Sequence, residues 1–154
     1  MRKLLLLPLL FLAVSVYAAP NLGGTWKFDP EVSNGQPAAP GASLLVVTQS
    51  ADAITFDYYP LTKGQRGALL QSYSYTTDGH QHPGYKTRTY VTYQRVYWHK
   101  NMLVVSTKGI IDPEGEQTFT DEDHWFVSED GKTLTHKSSD GKKAVYARQP
   151  DPAP

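Results

Sequence analysis

Three Asp-Gly pairs divide the second half of the chain into short segments, and they constrain its fold more than any other feature. Asp-Gly between alternating apolar runs is typical of a tight hairpin, because a type I′ turn needs positive φ at both central residues. Hairpins in series predict a meander of antiparallel strands, which hides its edges by closing into a barrel or by folding into a sandwich. The pairs are Asp78-Gly79, Asp130-Gly131 and Asp140-Gly141.

Nine strands are predicted, because Tyr, Thr, Val and Trp dominate the chain and no segment shows a helical period of apolar residues. The fifth strand is long enough to bend or to carry a bulge. Residues 34–42 join the first two strands and are predicted to be a mobile loop at one end of the fold, since prolines and small residues offer little burial. The predicted strands are 23–28, 43–49, 53–59, 69–76, 86–98, 102–108, 117–127, 132–138 and 143–148.

The first residues have the composition of a cleavable signal peptide. Arg2 and Lys3 precede an apolar run, and Val16-Tyr17-Ala18 is a small-x-small cleavage site. We expect cleavage after Ala18 and a secreted or periplasmic protein with no membrane span left, because the apolar run is short for a bilayer. The predicted organisation is a signal peptide at 1–18, one β-domain at 19–148 and a Pro-rich flexible tail at 149–154.

Charge and cysteine content exclude several classes of function. The chain has 15 Lys and Arg and 15 Asp and Glu, so removal of Arg2 and Lys3 leaves a formal net charge of −2. That charge is too near neutral for nucleic acid or an anionic membrane as the main partner. The chain has no cysteine, which excludes a thiol nucleophile, a Cys-ligated zinc and a thiol redox role.

The region after the signal peptide carries a resemblance to a known family. Gly24-Thr25-Trp26 resembles the Gly-x-Trp that opens the first strand of lipocalins, and residues 24–33 and 128–135 are similar to small secreted bacterial lipocalin-like proteins. The resemblance implies an all-β, antiparallel up-and-down meander closed into a lipocalin-like barrel of about eight to ten strands. It also implies that Trp26 closes one end of the barrel and that Arg148 lies across its ring. That contact favours the barrel over the alternative, a β-sandwich with the same strand count.

Alternation along the predicted strands selects candidates for a cavity, since every second residue of a barrel strand faces inward. The tyrosine face of 69–76 is the better interior candidate, whereas the two faces of 86–98 are hard to separate. On 117–127 the interior candidate is the face that carries Phe119 and Trp125. The predicted ligand-binding residues are Tyr73, Tyr75, Tyr93, Arg95, Tyr97, Asp121, Asp123 and Trp125.

Two interpretations of Asp121 and Asp123 remain open. If both face the interior, each unpaired carboxylate costs several kcal/mol, so Arg95 and tyrosine hydroxyls must pair with them. If both lie at a solvated mouth, or if a bulge turns them outward, they need no partner.

The five histidines predict no metal site. His80 and His82 have the spacing of a metal half-site on a strand, but a turn glycine precedes them and Pro83 follows, which indicates a solvated loop. His124 and its neighbour Asp123 point to opposite faces of a strand and form no dyad. His136 is predicted to lie on an exposed face. No metal and no cofactor are predicted.

The sequence predicts a protein that binds a small, amphipathic or apolar molecule in a barrel cavity without catalysis, with Arg95 holding the polar end of the ligand. One alternative is an enzyme on the same barrel, with Asp121, Asp123 and Arg95 as an acid–base cluster. The other is an interaction module whose exposed aromatic face meets an envelope protein or a glycan. A hollow interior separates the first two hypotheses from the third.

Overall fold

The structure is a computed structural model that describes residues 19–111 and 117–150. The predicted signal peptide and the last four residues of the predicted tail lie outside this part of the chain. Among the described residues, no helix has the length and apolar character needed to cross a membrane. The strands are β1 (Gly24–Phe28), β2 (Leu44–Gln49), β3 (Ala53–Tyr59), β4 (Leu61–Thr62), β5 (Gln65–Arg66), β6 (Gln71–Thr76), β7 (Gln81–Lys86), β8 (Tyr90–His99), β9 (Met102–Ile111), β10 (Gln117–Val127), β11 (Thr133–Lys137) and β12 (Lys143–Arg148).

Ten of these strands form one antiparallel sheet in the order β6-β3-β2-β1-β12-β11-β10-β9-β8-β7, and β4 pairs with β5 in a separate ribbon. The all-β antiparallel prediction is confirmed. Two details of the predicted strand pattern were wrong. The predicted loop around His82 belongs to an edge strand, β7, and the predicted strand 86–98 is interrupted before β8 begins. Pro83 fits in β7 because an edge strand needs ladder donors on one side only.

The sheet curls so strongly that distant strands share one core. β3 and β10 are five places apart in the sheet, which corresponds to about 24 Å in a flat sheet. The rings of Phe56 on β3 and Trp125 on β10 nevertheless have centroids 4.5 Å apart. The edge strands β6 and β7 are joined by residues 77–80, but no ladder of backbone hydrogen bonds links them in the described part of the chain. The sheet is therefore curled and open along one seam.

The three Asp-Gly pairs form turns of a different type from the one predicted. In each pair the glycine alone has positive φ, at 73°, 71° and 83°. Each Asp carboxylate accepts the backbone N–H two residues further on, as Asp130 does from Lys132. Asx geometry of this kind makes the turn without a left-handed Asp. The Asp78-Gly79 turn also joins the two sheet edges rather than a paired hairpin, so the predicted meander is interrupted there.

The predicted contact between Trp26 and Arg148 is present. Trp26 is 0% exposed, and the Arg148 guanidinium lies 4.1 Å from its ring centroid. The indole N–H donates to the Leu22 carbonyl, and the guanidinium donates to the carbonyls of Gly23 and Gly131. Gly24 has a φ of 134°, and a Cβ on it would lie 2.6 Å from the guanidinium. The glycine of the Gly-x-Trp motif thus leaves room for the arginine.

The segment between β1 and β2 is packed against the core, which corrects the prediction of a mobile loop. Ala39 is 3% exposed and belongs to the hydrophobic core together with Ala42. The backbone N–H groups of Asn34 and Gly35 both donate to the Lys143 carbonyl of β12. Small side chains bury little area each, but they let the backbone lie close to the large rings of the core. The segment is an ordered cover over one end of the fold.

A double-mutant cycle measures the energy of the Trp26–Arg148 contact. We expect Trp26→Ala to lower the free energy of unfolding by about 3–5 kcal/mol and Arg148→Ala by about 1–2 kcal/mol. The coupling energy is expected at about 1 kcal/mol in urea unfolding experiments, because the two residues share one contact. Arg66→Ala is the control, since Arg66 lies on the small ribbon and its guanidinium is 4.9 Å from the ring of Tyr59, the last residue of β3. A coupling energy of zero would show that the contact between Trp26 and Arg148 does not contribute to the free energy of unfolding.

The ordered cover is tested with two matched substitutions. Ala39→Asp places a carboxylate in the core and is expected to lower the free energy of unfolding by about 2–4 kcal/mol. Gln36→Asp introduces the same group at an exposed position, and we expect a change within about 0.5 kcal/mol. Equal effects of the two variants in urea unfolding would show that the segment does not pack on the core.

Candidate functional site

The register of three neighbouring strands decides which side chains share the inner face. Residues paired directly across antiparallel strands point to the same side of a sheet. Asp123 pairs with Val105, which pairs with Val96, and this row faces inward. The adjacent row of Glu122, Ser106 and Arg95 therefore points outward.

The inner face encloses a cavity of about 230 Å³. Its walls come from β3 and β6 on one side and from β8, β9, β10 and β11 on the other, and the ordered cover contributes one alanine. The volume is equivalent to about eight water molecules. The lining residues are Ala38, Phe56, Tyr58, Tyr73, Tyr75, Gln94, Val105, Thr107, Asp123, Trp125 and His136.

Four of the eight predicted ligand-binding residues line this cavity. Tyr73 and Tyr75 project from β6, and Asp123 and Trp125 project from β10. Trp125 is buried, whereas the Asp123 side chain is 39% exposed. The structure thus brings together the tyrosine face of one edge strand and the aromatic face of a strand six places away in the sheet order.

The three residues predicted on β8 do not line the cavity, which corrects the assignment of its faces. Tyr93, Arg95 and Tyr97 lie on the outer face, and the cavity receives Gln94 instead. The Arg95 guanidinium donates to the Gly79 carbonyl and lies 5.0 Å from the ring of Tyr97. Both faces of β8 carry aromatic side chains, so alternation alone could not separate them.

Asp121 and Asp123 have different surroundings. Asp121 shares the inner row with Thr107 and Gln94, but it is exposed and does not line the cavity. Asp123 lines the cavity and has an imidazole beside it, since its Oδ1 atom lies 3.4 Å from Nε2 of His136. Of the two interpretations, the one that places the carboxylate in solvent therefore applies to Asp121. Because Arg95 points outward, the three residues of the acid–base hypothesis do not form a cluster.

His136 is the functional candidate that sequence analysis missed, and the prediction that it lies on an exposed face was wrong. It is 8% exposed, and its ring stacks on Trp125 with centroids 4.2 Å apart. The signal was available in the alternation of β11, where His136 has the same parity as the fully buried Leu134. Phe56 and Tyr58 of β3 also line the cavity and were not among the predicted ligand-binding residues.

The lining rings meet at several angles and form walls on more than one side. Tyr73 and Tyr75 are parallel, with centroids 6.5 Å apart, and Tyr58 packs edge-on against Tyr73. Phe56 packs edge-on against Tyr75 and lies in a tilted contact with Trp125. Contacts of this kind contribute about 0.5–1.5 kcal/mol beyond the burial of area. They fix the rings before any ligand is bound.

Burial raises the pKa of three tyrosines around this core. Loss of hydration raises the pKa of Tyr58, Tyr75 and Tyr146 well above the usual value of 10.0, because the phenolate is poorly solvated there. The nearby phenols raise the pKa of Tyr58 further. The Tyr146 hydroxyl is buried without a hydrogen-bond partner among the described residues. These hydroxyls stay neutral and are available to donate hydrogen bonds.

The histidines near the seam form no metal centre in the described part of the chain. Nε2 of His82 lies 3.0 Å from the Asp78 carboxylate, and this contact lowers the pKa of Asp78. Within residues 19–111 and 117–150, no three His, Asp or Glu side chains come together in a group that could hold a metal ion.

A second hollow lies beside the cavity, at the seam of the sheet. This seam groove has a volume of about 350 Å³. It shares Tyr75 and Gln94 with the cavity, so the two spaces are separated by side chains that line both. The seam groove is lined by Ser74, Tyr75, Thr76, His82, Pro83, Gln94 and Val96.

Comparison with known proteins adds no relative to this description. No protein-family model, no curated protein and no solved structure matches the chain. The candidate site is therefore defined by the geometry and chemistry of its own residues.

Tyr146→Phe is expected to raise the free energy of unfolding by about 1 kcal/mol at pH 7, because it removes a buried hydroxyl that has no partner.

The raised pKa of Tyr146 also makes the stability of the protein depend on pH. The tyrosine's contribution to stability is complete below pH 10 and declines above it, because the unfolded chain ionises there and the folded chain does not. Above pH 10, the free energy of unfolding measured in urea should fall with pH in both proteins. The fall should be smaller in Tyr146→Phe than in the native protein, by up to about 1.4 kcal/mol per pH unit. The exposed Tyr85→Phe is the control, and an equal effect of the two variants would contradict the assignment.

Proposed function

We propose that this chain is a lipocalin-like binding protein that takes a small, partly apolar molecule into its cavity without transforming it. The observation that carries the proposal is the cavity itself. Five aromatic side chains line its walls, together with four other side chains that are polar or titratable. Binding sites for small molecules have this composition, because apolar walls supply affinity and a few polar groups set orientation. The expected ligand is small, with about one ring or a short branched chain, since the cavity volume is near the lower end for ligand pockets.

The contact between Trp26 and Arg148 supports the lipocalin-like part of the proposal. The Gly-x-Trp segment lies on the first strand, and an arginine of the last strand stacks on its indole, as the resemblance implies. In this proposal the curled sheet acts as a barrel whose edges meet across the 77–80 turn. The proposal includes export to the periplasm or the cell exterior, for which the composition of residues 1–18 is the support.

The alternatives have less support from the geometry. An acid–base cluster needs Arg95 beside the two aspartates, but the guanidinium bonds to the Gly79 carbonyl on the outer face. An interaction module needs an exposed aromatic face, but Tyr93 and Tyr97 on the outer face of β8 are half-buried. The cavity favours a binder.

Matched substitutions on the two faces of the sheet test the proposal. An apolar fluorescent probe that contains a single aromatic ring should bind the purified protein and change the fluorescence of Trp125. Tyr75→Leu removes a ring of the cavity wall and is expected to weaken binding about tenfold, which corresponds to about 1.4 kcal/mol. Tyr97→Leu removes a ring of the outer face and should leave the affinity within about twofold.

Absence of probe binding would overturn the proposal if the protein is folded by circular dichroism. Equal losses in Tyr75→Leu and Tyr97→Leu would place the probe outside the cavity and would also overturn it. Turnover of a substrate that is lost in Asp123→Asn would favour the enzyme hypothesis instead.

A further inference from the structure

The cavity wall carries one carboxylate and no Lys or Arg among the described residues. We propose, on the basis of the binding function above, that the ligand is a small organic cation, an ammonium group on a short apolar body. The groups that would recognise it are the ring faces of Tyr73 and Tyr75 together with the carboxylate of Asp123, while the buried Tyr58 and Trp125 form the wall behind them. This ligand class differs from the anionic one that Arg95 would select.

The aromatic walls are suited to a cation because the face of each ring carries negative charge density. The parallel pair of Tyr73 and Tyr75 lies on one side of the cavity, and Trp125 lies on the other. An ammonium group over the tyrosine rings replaces part of its hydration with ring faces. The attraction of a cation to a ring face grows as water is removed from around it, and the walls of the partly open cavity remove part of that water.

The carboxylate of Asp123 supplies the charge that orients the ligand. Its side chain is 39% exposed, so water reaches it when no ligand is bound. His136 lies beside it at 3.4 Å, and the buried imidazole is held by its stack on Trp125. This neighbour limits the directions in which the carboxylate can turn. The cation would lie between the carboxylate and the tyrosine rings.

No Lys or Arg among the described residues lines this cavity as a counter-charge for an anionic ligand. Arg95 points outward and is engaged at the Gly79 carbonyl, and Lys108 is exposed in the outward row with Tyr93. A carboxylate or phosphate placed beside Asp123 would meet a like charge, which raises its free energy. A neutral molecule of the same shape would keep the apolar contacts and lose the attraction to the carboxylate and to the ring faces.

The test compares three ligands of one shape and different charge on the native protein. Choline is the cation, dimethylbutanol has carbon in place of its nitrogen, and dimethylbutyrate is the anion. Isothermal titration calorimetry at one fixed pH and ionic strength gives each affinity. We expect choline to bind at least about tenfold more tightly than the alcohol, and the anion to bind more weakly than both.

Two carboxylate-to-amide substitutions on adjacent residues of β10 locate the effect. Asp123→Asn is expected to weaken choline binding about tenfold and to leave the alcohol within about twofold. Glu122→Gln neutralises a carboxylate on the outer face, next to His124 at 3.7 Å, and should change neither affinity.

The outcomes separate this inference from the proposed function. If the alcohol and the apolar probe bind while choline shows no advantage, the cavity is a binding site and the cationic ligand class is wrong. If Asp123→Asn and Glu122→Gln weaken choline equally, the attraction comes from the overall charge and the inference is overturned. If neither the probe nor any of the three ligands binds, both proposals fail. The comparison on the native protein needs no variant, so it decides the question even if Asp123→Asn does not fold.

Discussion

The pairing of β1 with β12 is the interaction on which the rest of the structure depends. It joins the strands of the first half of the chain to those of the second, and without it the ten-stranded sheet would divide into two pieces. The cavity needs both pieces, because β3 and β6 supply one wall and β8 to β11 supply the other. The stack of Arg148 on Trp26 lies within this pairing. A contact at the sheet's centre thereby holds together a site that lies some distance from it.

The hydrogen-bonded ladder carries this organisation from strand to strand. From β8 to β10 the pairing is regular, so the parity of one residue fixes the face of its partners. Asp123, Val105 and Val96 therefore face the core together, and their neighbours in sequence face away from it. The chain thus places aromatic rings and one carboxylate inside, while the charged residues of the adjacent rows remain in water. The electrostatic character of the cavity follows from the register as much as from composition.

Alternation and turn residues were sufficient to predict most of the sheet and part of the site. Eight of the nine predicted ranges overlap single observed strands, because Tyr, Val and Thr alternate clearly between Gly-containing turns. Tyr73, Tyr75 and Trp125 followed from the same alternation. The faces of β8 could not be assigned, since Tyr93 and Tyr97 on one face and Val96 and Trp98 on the other are equally suited to burial. The ordered cover escaped prediction because Ala39 is buried in a core whose other members come from strands distant in sequence. His136 was open to prediction from parity with Leu134.

The open seam gives this fold a route between its interior and solvent that leaves the sheet intact. Along every paired strand, an opening wide enough for a molecule requires the separation of backbone hydrogen bonds. At the seam, Tyr75 and Gln94 are the residues that line both the cavity and the seam groove, so the boundary between the two spaces consists of side chains. Exchange at such a boundary is limited by contacts with the walls rather than by strand separation. For the proposed binding function, such a boundary implies reversible binding, with a ligand that enters and leaves without separation of the strands.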